Sequence, residues 1–216
     1  LSGLVGSEMC IRDRYTISRT PLRISLFGGG TDYPDYFQRQ PGAVLGFAID
    51  KYIFISALQL TSFVDYKVRL SYSRVETVSH STDLLHPMVR VLFEYYKFGH
   101  AVDISVQAEL PASSGLGSSS AFTVGMINLL SSMMGVDRTK YEIAREAIHA
   151  EQDLLKENVG VQDQLHASFG GINRFNFSST EFSIMPIRIS GREMRILTDW
   201  MAVSYTHLRA HETRED

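Results

Sequence analysis

One stretch sets the architecture expected of this chain: Glu109-Leu-Pro-Ala-Ser-Ser-Gly-Leu-Gly-Ser-Ser-Ser-Ala121. An alternating apolar run, Val102–Ala108, precedes it, and a run with helical spacing follows from Ser118 to about Met134. We therefore predict a strand, a loop of small residues and a helix, in that order. The first N–H groups of a helix have no intrahelical partner, and the helix dipole favours negative charge at this end. The stretch is thus predicted to bind an anion.

The residues of this loop favour phosphate as the anion. Gly115 and Gly117 allow positive φ and a close approach of the backbone, while Ser118, Ser119 and Ser120 offer hydroxyl groups to phosphate oxygens or to a metal ion. Two other phosphate motifs do not fit, because Ser118 stands where a Walker-type loop needs Lys and Ser120 where a dinucleotide fingerprint needs Gly. We interpret the loop as a holder of a nucleotide triphosphate. A loop that only caps the helix is the alternative.

The two ends of the sequence are predicted to be foreign to the domain. Codons can be chosen for Val203–Thr213 whose reverse complement encodes Leu4–Asp13, so the ends resemble opposite strands of one DNA adapter read through in frame. We therefore assign residues 1–14 and 203–216 to translated adapter and exclude them from fold reasoning. Residues 15–202 are then expected to be a truncated domain.

Composition excludes several classes of function. The tails hold four Lys/Arg and five Asp/Glu, which leaves 17 and 19 and a net charge of −2 for residues 15–202. This balance predicts no nucleic-acid partner and no binding to an anionic membrane, and no apolar run reaches the length of a membrane span. The single cysteine, Cys10, lies in a tail, so neither disulfides nor thiolate metal sites are expected. A native part without cysteine fits a cytoplasmic location.

The apolar patterns predict an α+β domain with helices on one face of a sheet. Helices are expected over Leu84–Phe98, with Gly99 at the C′ position, over Ser118–Met134, and from an Asp137 N-cap to about Leu155. The predicted strands are Leu22–Phe27, Ala43–Ile49, Tyr52–Leu58, Lys67–Leu70, Arg74–Val78, Val102–Ala108, Ile172–Phe177, Phe182–Ile187 and Arg195–Trp200, with a turn at Asp50-Lys51.

Three ordered motifs resemble those of one enzyme superfamily. The first, Pro21-Leu-Arg-Ile-Ser-Leu-Phe-Gly-Gly-Gly-Thr-Asp-Tyr33, is similar to the sugar motif of galactokinase-like proteins. Pro111–Ala121 resembles the phosphate loop of the GHMP kinases, and Val159-Gly-Val-Gln-Asp-Gln164 resembles the segment with their catalytic Asp. The Gly-Gly-Gly-Thr-Asp version looks most like the heptose 7-phosphate kinase branch, whereas galactokinase has Glu-His in place of Gly29-Gly30.

The resemblance implies an ATP- and Mg²⁺-dependent kinase of a sugar or sugar phosphate, such as a heptose 7-phosphate. Galactokinase- or fucokinase-like activity and a non-catalytic ligand sensor are the alternatives. The implied fold is the GHMP kinase N-terminal domain, similar to a ribosomal-protein domain, followed by a C-terminal ferredoxin-like domain. We expect the second domain to be missing and the fragment therefore to be inactive by itself. A homo-oligomer is left open.

The resemblance also assigns roles to particular residues. Asp163 would accept or orient the proton of the attacking hydroxyl, Arg23 would stabilise charge on the transferring phosphoryl group, and Glu151 would bind Mg²⁺ with Ser119. If so, these residues should meet at the N-terminus of the Ser118 helix, with Arg23 in contact with Asp163. The sugar would contact Gly29, Gly30, Thr31 and Asp32. The nucleotide would contact Pro111, Ser113, Ser114, Gly115, Leu116, Gly117, Ser118, Ser119 and Ser120.

Each of these roles has a structural alternative in the sequence. Asp163 is equally interpretable as a helix N-cap, Arg23 as a strand residue with its head group in water, and Glu151 as an exposed helix carboxylate. Asp32 stands before Pro34, where an Asx-turn is the alternative.

Overall fold

A computed structural model describes residues 15–61, 65–111, 114–179 and 181–201. The two predicted adapter tails and Ser113 of the predicted phosphate loop lie outside the described residues. The chain divides into two compact units, residues 1–186 and 187–216. The described part of the second unit holds one helix, and the candidate site described below belongs to the first.

The first unit is built on a mixed sheet of seven strands. Six strands follow the order β4-β3-β5-β2-β6-β7, and β1 pairs with β2 as well. All pairs are antiparallel except β3 with β5. The strands are β1 (Tyr15–Phe27), β2 (Gly42–Gln59), β3 (Val68–Ser71), β4 (Val75–Val78), β5 (Val102–Ala108), β6 (Ile172–Phe177) and β7 (Phe182–Pro186).

The predicted turn at Asp50-Lys51 is wrong, because Gly42–Gln59 forms one strand. Its first half pairs with β6 and its second half with β5, while β1 runs beside both halves. Pro21 pairs with Tyr52, and Arg23, two residues later, pairs with Ala48, so two residues of β1 lie opposite four of β2. The extra residues form a bulge, so the polar pair that suggested a turn is accommodated inside a continuous strand.

Helices complete the α+β fold predicted from the apolar patterns. They are α1 (Pro34–Phe37), α2 (Pro87–Tyr95), α3 (Ser118–Met133), α4 (Lys140–His149), α5 (Gln162–Phe169) and, in the second unit, α6 (Gly191–Asp199). A 3₁₀ turn covers Ser81–Asp83 and a π turn covers Ala150–Leu154. Helices α3 and α5 pack against β1 and β2. A Cβ at Gly125 would lie 2.7 Å from Thr20 Oγ1, so glycine allows the close approach of α3 to the sheet.

Two helix ends differ from the prediction. Lys97, with φ of 50°, takes the left-handed C′ position expected of Gly99, and the Phe98 N–H donates to the Phe93 carbonyl at 2.8 Å. The Phe93 and Phe98 rings lie 4.8 Å apart, which is the apolar contact that accompanies this helix end. Thr139 rather than Asp137 caps α4, through a reciprocal capping box with Glu142.

The strand predicted over Arg195–Trp200 is also wrong, since these residues lie in and just after α6. Ser190 and Glu193 form a capping box at the start of this helix, a local signal that the prediction missed. Across the described part of the chain, no helix combines the length and the apolar character needed to cross a membrane.

Candidate active site

An ion pair between β1 and α5 is the centre of the candidate site. Arg23 Nε lies 2.7 Å from Asp163 Oδ1, and Arg23 Nη2 lies 2.7 Å from Asp163 Oδ2. The contact is therefore bidentate, which fixes the carboxylate in position as well as in charge. Side-chain exposure is 12% for Arg23 and 25% for Asp163. The contact expected between these residues is present, and the alternative of an arginine with its head group in water is wrong.

The same arginine binds the loop before α3. Its Nη1 donates to the Gly115 carbonyl at 2.7 Å, and its backbone N–H donates to the Leu116 carbonyl at 3.0 Å. Gly117 has φ of 74° and is the N-cap of α3. A Cβ there would lie 3.1 Å from Arg23 Cγ and 3.4 Å from Asp163 Cγ. The ion pair therefore lies against the N-terminus of α3, the end that attracts anions.

Asp163 is not the N-cap of α5. Val161 occupies the cap position without a side-chain hydrogen bond, and Asp163 is the second residue of the helix. Its two oxygens are committed to Arg23 rather than to backbone N–H groups of its own helix. The structural alternative considered for this aspartate is therefore not observed.

Glu151 lies inside the protein beside the loop, not on an exposed helix face. It is 1% exposed and sits in the π turn after α4. Its Oε2 accepts the Ser120 hydroxyl at 2.9 Å and the Gln164 side-chain amide. Burial raises the pKa of Glu151 to about 7, and the hydrogen bonds from the side chains of Ser120 and Gln164 oppose that rise.

Two serines at the start of α3 differ in their relation to Glu151, and the expected role of Ser119 in binding Mg²⁺ stays a prediction. The hydroxyl that reaches this carboxylate belongs to Ser120, whereas Ser119 is exposed and lines the cavity described below. Glu151 Oε1 is buried and has no hydrogen-bond partner among the described residues. A buried carboxylate oxygen without a donor fits a cation, and Mg²⁺ needs only one or two protein carboxylates when phosphates supply other ligands. No cluster of three or more His, Cys, Asp or Glu occurs among the described residues.

The carboxylate of Asp32 accepts hydrogen bonds from other residues of the protein, whereas the sequence predicted that it would contact a sugar. It is 0% exposed, and Oδ1 accepts the Gly30 N–H at 3.0 Å and Gln162 Nε2 at 3.2 Å. Oδ2 accepts the Gln162 N–H at 3.2 Å. Burial raises the pKa of Asp32, although the N–H groups of Gln162 and Gly30 oppose this. With no exposed surface, Asp32 positions the segment before Asp163 in this structure.

Thr31 and the glycines before it form the turn that carries Asp32. The Thr31 hydroxyl donates to the Gly28 carbonyl at 2.8 Å and accepts the Ala43 N–H at 3.1 Å. It is therefore engaged in fixing the turn to β2. Gly30 has φ of 92°, and Gly29 has no atom closer than 3.9 Å to a Cβ placed on it. Of the four residues expected to contact a sugar, only the two glycines leave open space.

A cavity of about 850 Å³ extends from the loop and was not predicted from the sequence. Pro111, Ser118 and Ser119 line one end, and Tyr72 and His86 lie among the residues lining the remainder. The His86 ring lies 4.9 Å from that of Phe122 and 5.0 Å from that of Tyr72. Burial lowers the pKa of His86, which favours a neutral imidazole. Tyr72, His86 and Phe122 form one wall of this cavity. Because they are far apart in the sequence, no periodic pattern predicted that they would meet.

Glu76 connects the residues of this cavity wall by hydrogen bonds. Its carboxylate accepts the Tyr72 hydroxyl at 2.6 Å, the Leu85 N–H at 2.6 Å and the His86 N–H at 3.2 Å. Burial raises the pKa of Glu76, but the Tyr72 hydroxyl and the two N–H groups outweigh burial and lower that pKa from its ordinary value. The β3–β4 hairpin is thereby joined to the start of α2.

Comparisons with known proteins agree with this architecture. Residues 83–171 match the family described as the GHMP kinases N terminal domain. A galactokinase of Thermotoga maritima is 29% identical over 189 residues, which cover 83% of this chain and 51% of that protein. The D-glycero-alpha-D-manno-heptose 7-phosphate kinase of Campylobacter jejuni is 30% identical over 182 residues, which cover 80% and 54%. The chain thus spans about half the length of these relatives.

Solved structures give the same fold. The crystal structure of a D-glycero-D-manno-heptose 1-phosphate kinase from Bacteroides thetaiotaomicron matches with a TM-score of 0.74 and 23% identity. The match covers 85% of this chain and 62% of that one. The galactose complex of Lactococcus lactis galactokinase matches with a TM-score of 0.63 and 18% identity, over 88% and 53% of the two chains.

Proposed function

Because the chain contains a GHMP kinase N-terminal domain, we propose that it belongs to an enzyme that transfers the γ-phosphoryl group of ATP to a hydroxyl of a sugar or sugar phosphate. One observation carries this proposal: the bidentate Arg23–Asp163 pair lies against Gly117, at the N-terminus of α3. A carboxylate, a guanidinium and a helix N-terminus at one point are the groups that phosphoryl transfer requires.

Asp163 is suited to orient the attacking hydroxyl. Phosphoryl transfer passes through a loose transition state, so the nucleophile needs alignment more than early removal of its proton. A carboxylate held by two hydrogen bonds of 2.7 Å has little freedom to rotate, which suits alignment. Arg23 keeps its charge beside the transferring group and stabilises the negative charge that spreads over the phosphoryl oxygens.

The loop and the cavity beside it would bind the nucleotide. Phosphates would lie on the N–H groups at the start of α3, where Gly115 and Gly117 both have positive φ and allow close approach. The nucleoside would lie in the cavity of about 850 Å³, against Tyr72, His86 and Phe122. Mg²⁺ would be held by Glu151 and by the nucleotide phosphates, and it would neutralise charge there.

For the acceptor we propose a heptose 7-phosphate. The support is the relative of that name at 30% identity, together with the open space at Gly29 and Gly30. Galactose is the second candidate, because a galactokinase is 29% identical over a similar length.

The test is a phosphoryl-transfer assay on the enzyme that contains this domain, with ATP, Mg²⁺ and each candidate sugar. Asp163→Asn should lower sugar-dependent ADP release by about 10² to 10⁴-fold while nucleotide binding persists. Asp137→Asn is the matched control, since Asp137 is exposed and outside the site. Binding of sugar and nucleotide without any transfer would instead indicate a ligand sensor.

A further inference from the structure

A buried carboxylate away from the Arg23–Asp163 pair accepts three hydrogen bonds beside the nucleotide cavity. Glu76 lies on β4 and is 7% exposed. Its oxygens accept the Tyr72 hydroxyl and the N–H groups of Leu85 and His86, at distances of 2.6, 2.6 and 3.2 Å. A carboxylate taken out of water has a large free-energy cost unless donors replace the water, and here three do so. The proposed transfer step assigns no role to this group.

The three hydrogen bonds connect two segments that are separate in the chain. Tyr72 lies between β3 and β4, and β4 is the edge strand of the described sheet, where it pairs with β3. His86 is the N-cap residue of α2, and its side chain makes no capping hydrogen bond. An edge strand is hydrogen-bonded to its sheet on one side only, so its position against a neighbouring helix depends on other contacts. Glu76 provides such a contact between the hairpin and the start of α2.

Both segments contribute a ring to the cavity wall of Tyr72, His86 and Phe122. The His86 ring lies 5.0 Å from the Tyr72 ring, edge to face, and 4.9 Å from the Phe122 ring, with 33° between the last two planes. All three side chains are half-buried and line the cavity, so each has surface that a ligand can reach. Ring faces are the surfaces on which a nucleobase stacks.

Phe122 relates this wall to the end of the cavity where the phosphates would lie. It follows Ser118 by four residues and Ser119 by three on α3, so the three side chains share one face of the helix. About one helical turn, roughly 5.4 Å, therefore separates the serines from the ring. A nucleotide with its phosphates at the start of α3 would meet the cavity wall with its nucleoside.

We propose that Glu76 is a positioning residue for the nucleoside of ATP, because it holds Tyr72 and His86 side by side in the wall on which the base stacks. The carboxylate itself does not touch the nucleotide. Its loss removes the common anchor of two rings, which weakens the affinity that the base contributes but not the affinity that the phosphates contribute. This inference rests on the proposed function, since it needs a nucleotide in the cavity.

The test compares two ligands that differ by the nucleoside. Isothermal titration calorimetry on the full chain would measure the binding of Mg·ADP and of Mg·pyrophosphate, which has the two phosphates alone. Glu76→Gln replaces one acceptor oxygen by an NH₂ group, so the side chain can no longer accept hydrogen bonds at both positions. This variant should weaken Mg·ADP binding by roughly 10-fold and leave Mg·pyrophosphate binding unchanged.

Glu146→Gln is the matched control. Glu146 also accepts a tyrosine hydroxyl, that of Tyr96, and its Oε1 accepts Arg138 Nε at 2.8 Å. It does not line the nucleotide cavity. The control should lower the Tm, because it too disrupts a carboxylate network, and it should leave the binding of both ligands unchanged. The pair of variants thereby separates a loss of stability from a loss of ring placement.

Tyr72→Phe is the second variant, in case Glu76→Gln does not fold. It keeps the ring in the cavity wall and removes only the hydroxyl that Glu76 accepts. It should weaken Mg·ADP binding by roughly 3-fold, again with no effect on Mg·pyrophosphate.

The failures are distinguishable. If the wild type binds Mg·ADP more tightly than Mg·pyrophosphate and the variants keep that difference, or lose affinity equally for the two ligands, the positioning role is overturned while the proposed function stands. If the wild type binds Mg·ADP no more tightly than Mg·pyrophosphate, or binds neither, the proposed nucleotide site fails and this inference fails with it.

Discussion

Gly160→Ala is expected to destabilise the protein by displacing Asp32 or the segment that it holds. A Cβ at Gly160 would lie 1.9 Å from Asp32 Oδ2 and 2.7 Å from Asp32 Cγ, while Cβ atoms do not come within 3.0 Å of other atoms. Either the carboxylate or the 160–162 segment must move by about 1 Å or more. The φ of Gly160 lies outside the left-handed region, so the effect is steric and not a backbone preference.

The expected magnitude follows from what the movement breaks. Asp32 accepts three hydrogen bonds of 3.0 to 3.2 Å, from Gly30 and from both nitrogens of Gln162. Such bonds do not survive a displacement of that size, and each contributes about 1 kcal/mol or somewhat more when the acceptor is charged. The free energy of unfolding should therefore fall by about 3 kcal/mol. For a domain of this size that corresponds to a Tm lower by roughly 6 to 12 °C.

Thermal and urea unfolding followed by circular dichroism would measure this change. Gly99→Ala is the matched control, because Gly99 is exposed, has no positive φ, and a Cβ there meets no atom closer than 4.0 Å. It should alter stability by less than about 1 kcal/mol. A Tm for Gly160→Ala within a degree of the Gly99→Ala value would refute the reasoning, since Asp32 would then not be a fixed clamp on this segment.

Four further outcomes are expected. Arg23→Lys, which cannot make both bonds to Asp163, should lower phosphoryl transfer by about 10²-fold in a steady-state assay, with unchanged thermal unfolding as evidence that the fold persists. Since the pKa of Glu76 is lowered from its ordinary value by the hydrogen bonds it accepts, its contribution to stability is present above that ordinary value and is lost as the pH falls through the folded-state pKa. The Tm advantage of wild type over Glu76→Gln should therefore shrink as the pH is lowered below the ordinary carboxyl pKa of about 4.3, and a constant gap would contradict it. This chain by itself, about half the length of its relatives, should show background ATP turnover in a coupled assay. Deletion of residues 1–14 and 203–216 should leave the Tm within a degree or two, and a large drop would contradict the adapter interpretation.

Much of the fold was predictable because the signals are local. The strand Val102–Ala108, the loop and the start of α3 at Ser118 follow from alternation, glycine content and helical spacing, and all three are present. One miss arises where neighbours in space overrule a local signal, and another where a local signal was overlooked. Asp50-Lys51 suggests a turn, but β1 pairs with β2 on either side of it and makes the turn a bulge. Arg195–Trp200 was predicted as a strand, yet the Ser190–Glu193 capping box begins a helix that includes Arg195–Asp199.

For the candidate site too, some features were predictable from the sequence and others were not. The motifs identified Asp163, Arg23 and Glu151 as residues to examine, since residue type and order along the chain carry that information. The Arg23–Asp163 contact was expected from the family resemblance alone, because no local rule relates β1 to α5. Asp32 shows most clearly what the sequence does not reveal. Its sequence context suggests a ligand contact or an Asx-turn, but in the structure it is buried and accepts hydrogen bonds from both nitrogens of Gln162.

The sequence by itself determined that a glycine- and serine-rich loop precedes a helix and that a carboxylate and an arginine would accompany it. Only the tertiary structure decided which serine meets Glu151. Ser119 and Ser120 point about 100° apart around α3, and both have the same hydroxyl. The rotation of α3 about its axis is set by the packing of its buried residues, among them Gly125 against Thr20 on β1. That packing turns Ser120 inward and Ser119 toward the cavity, a choice that depends on contacts between residues about a hundred positions apart.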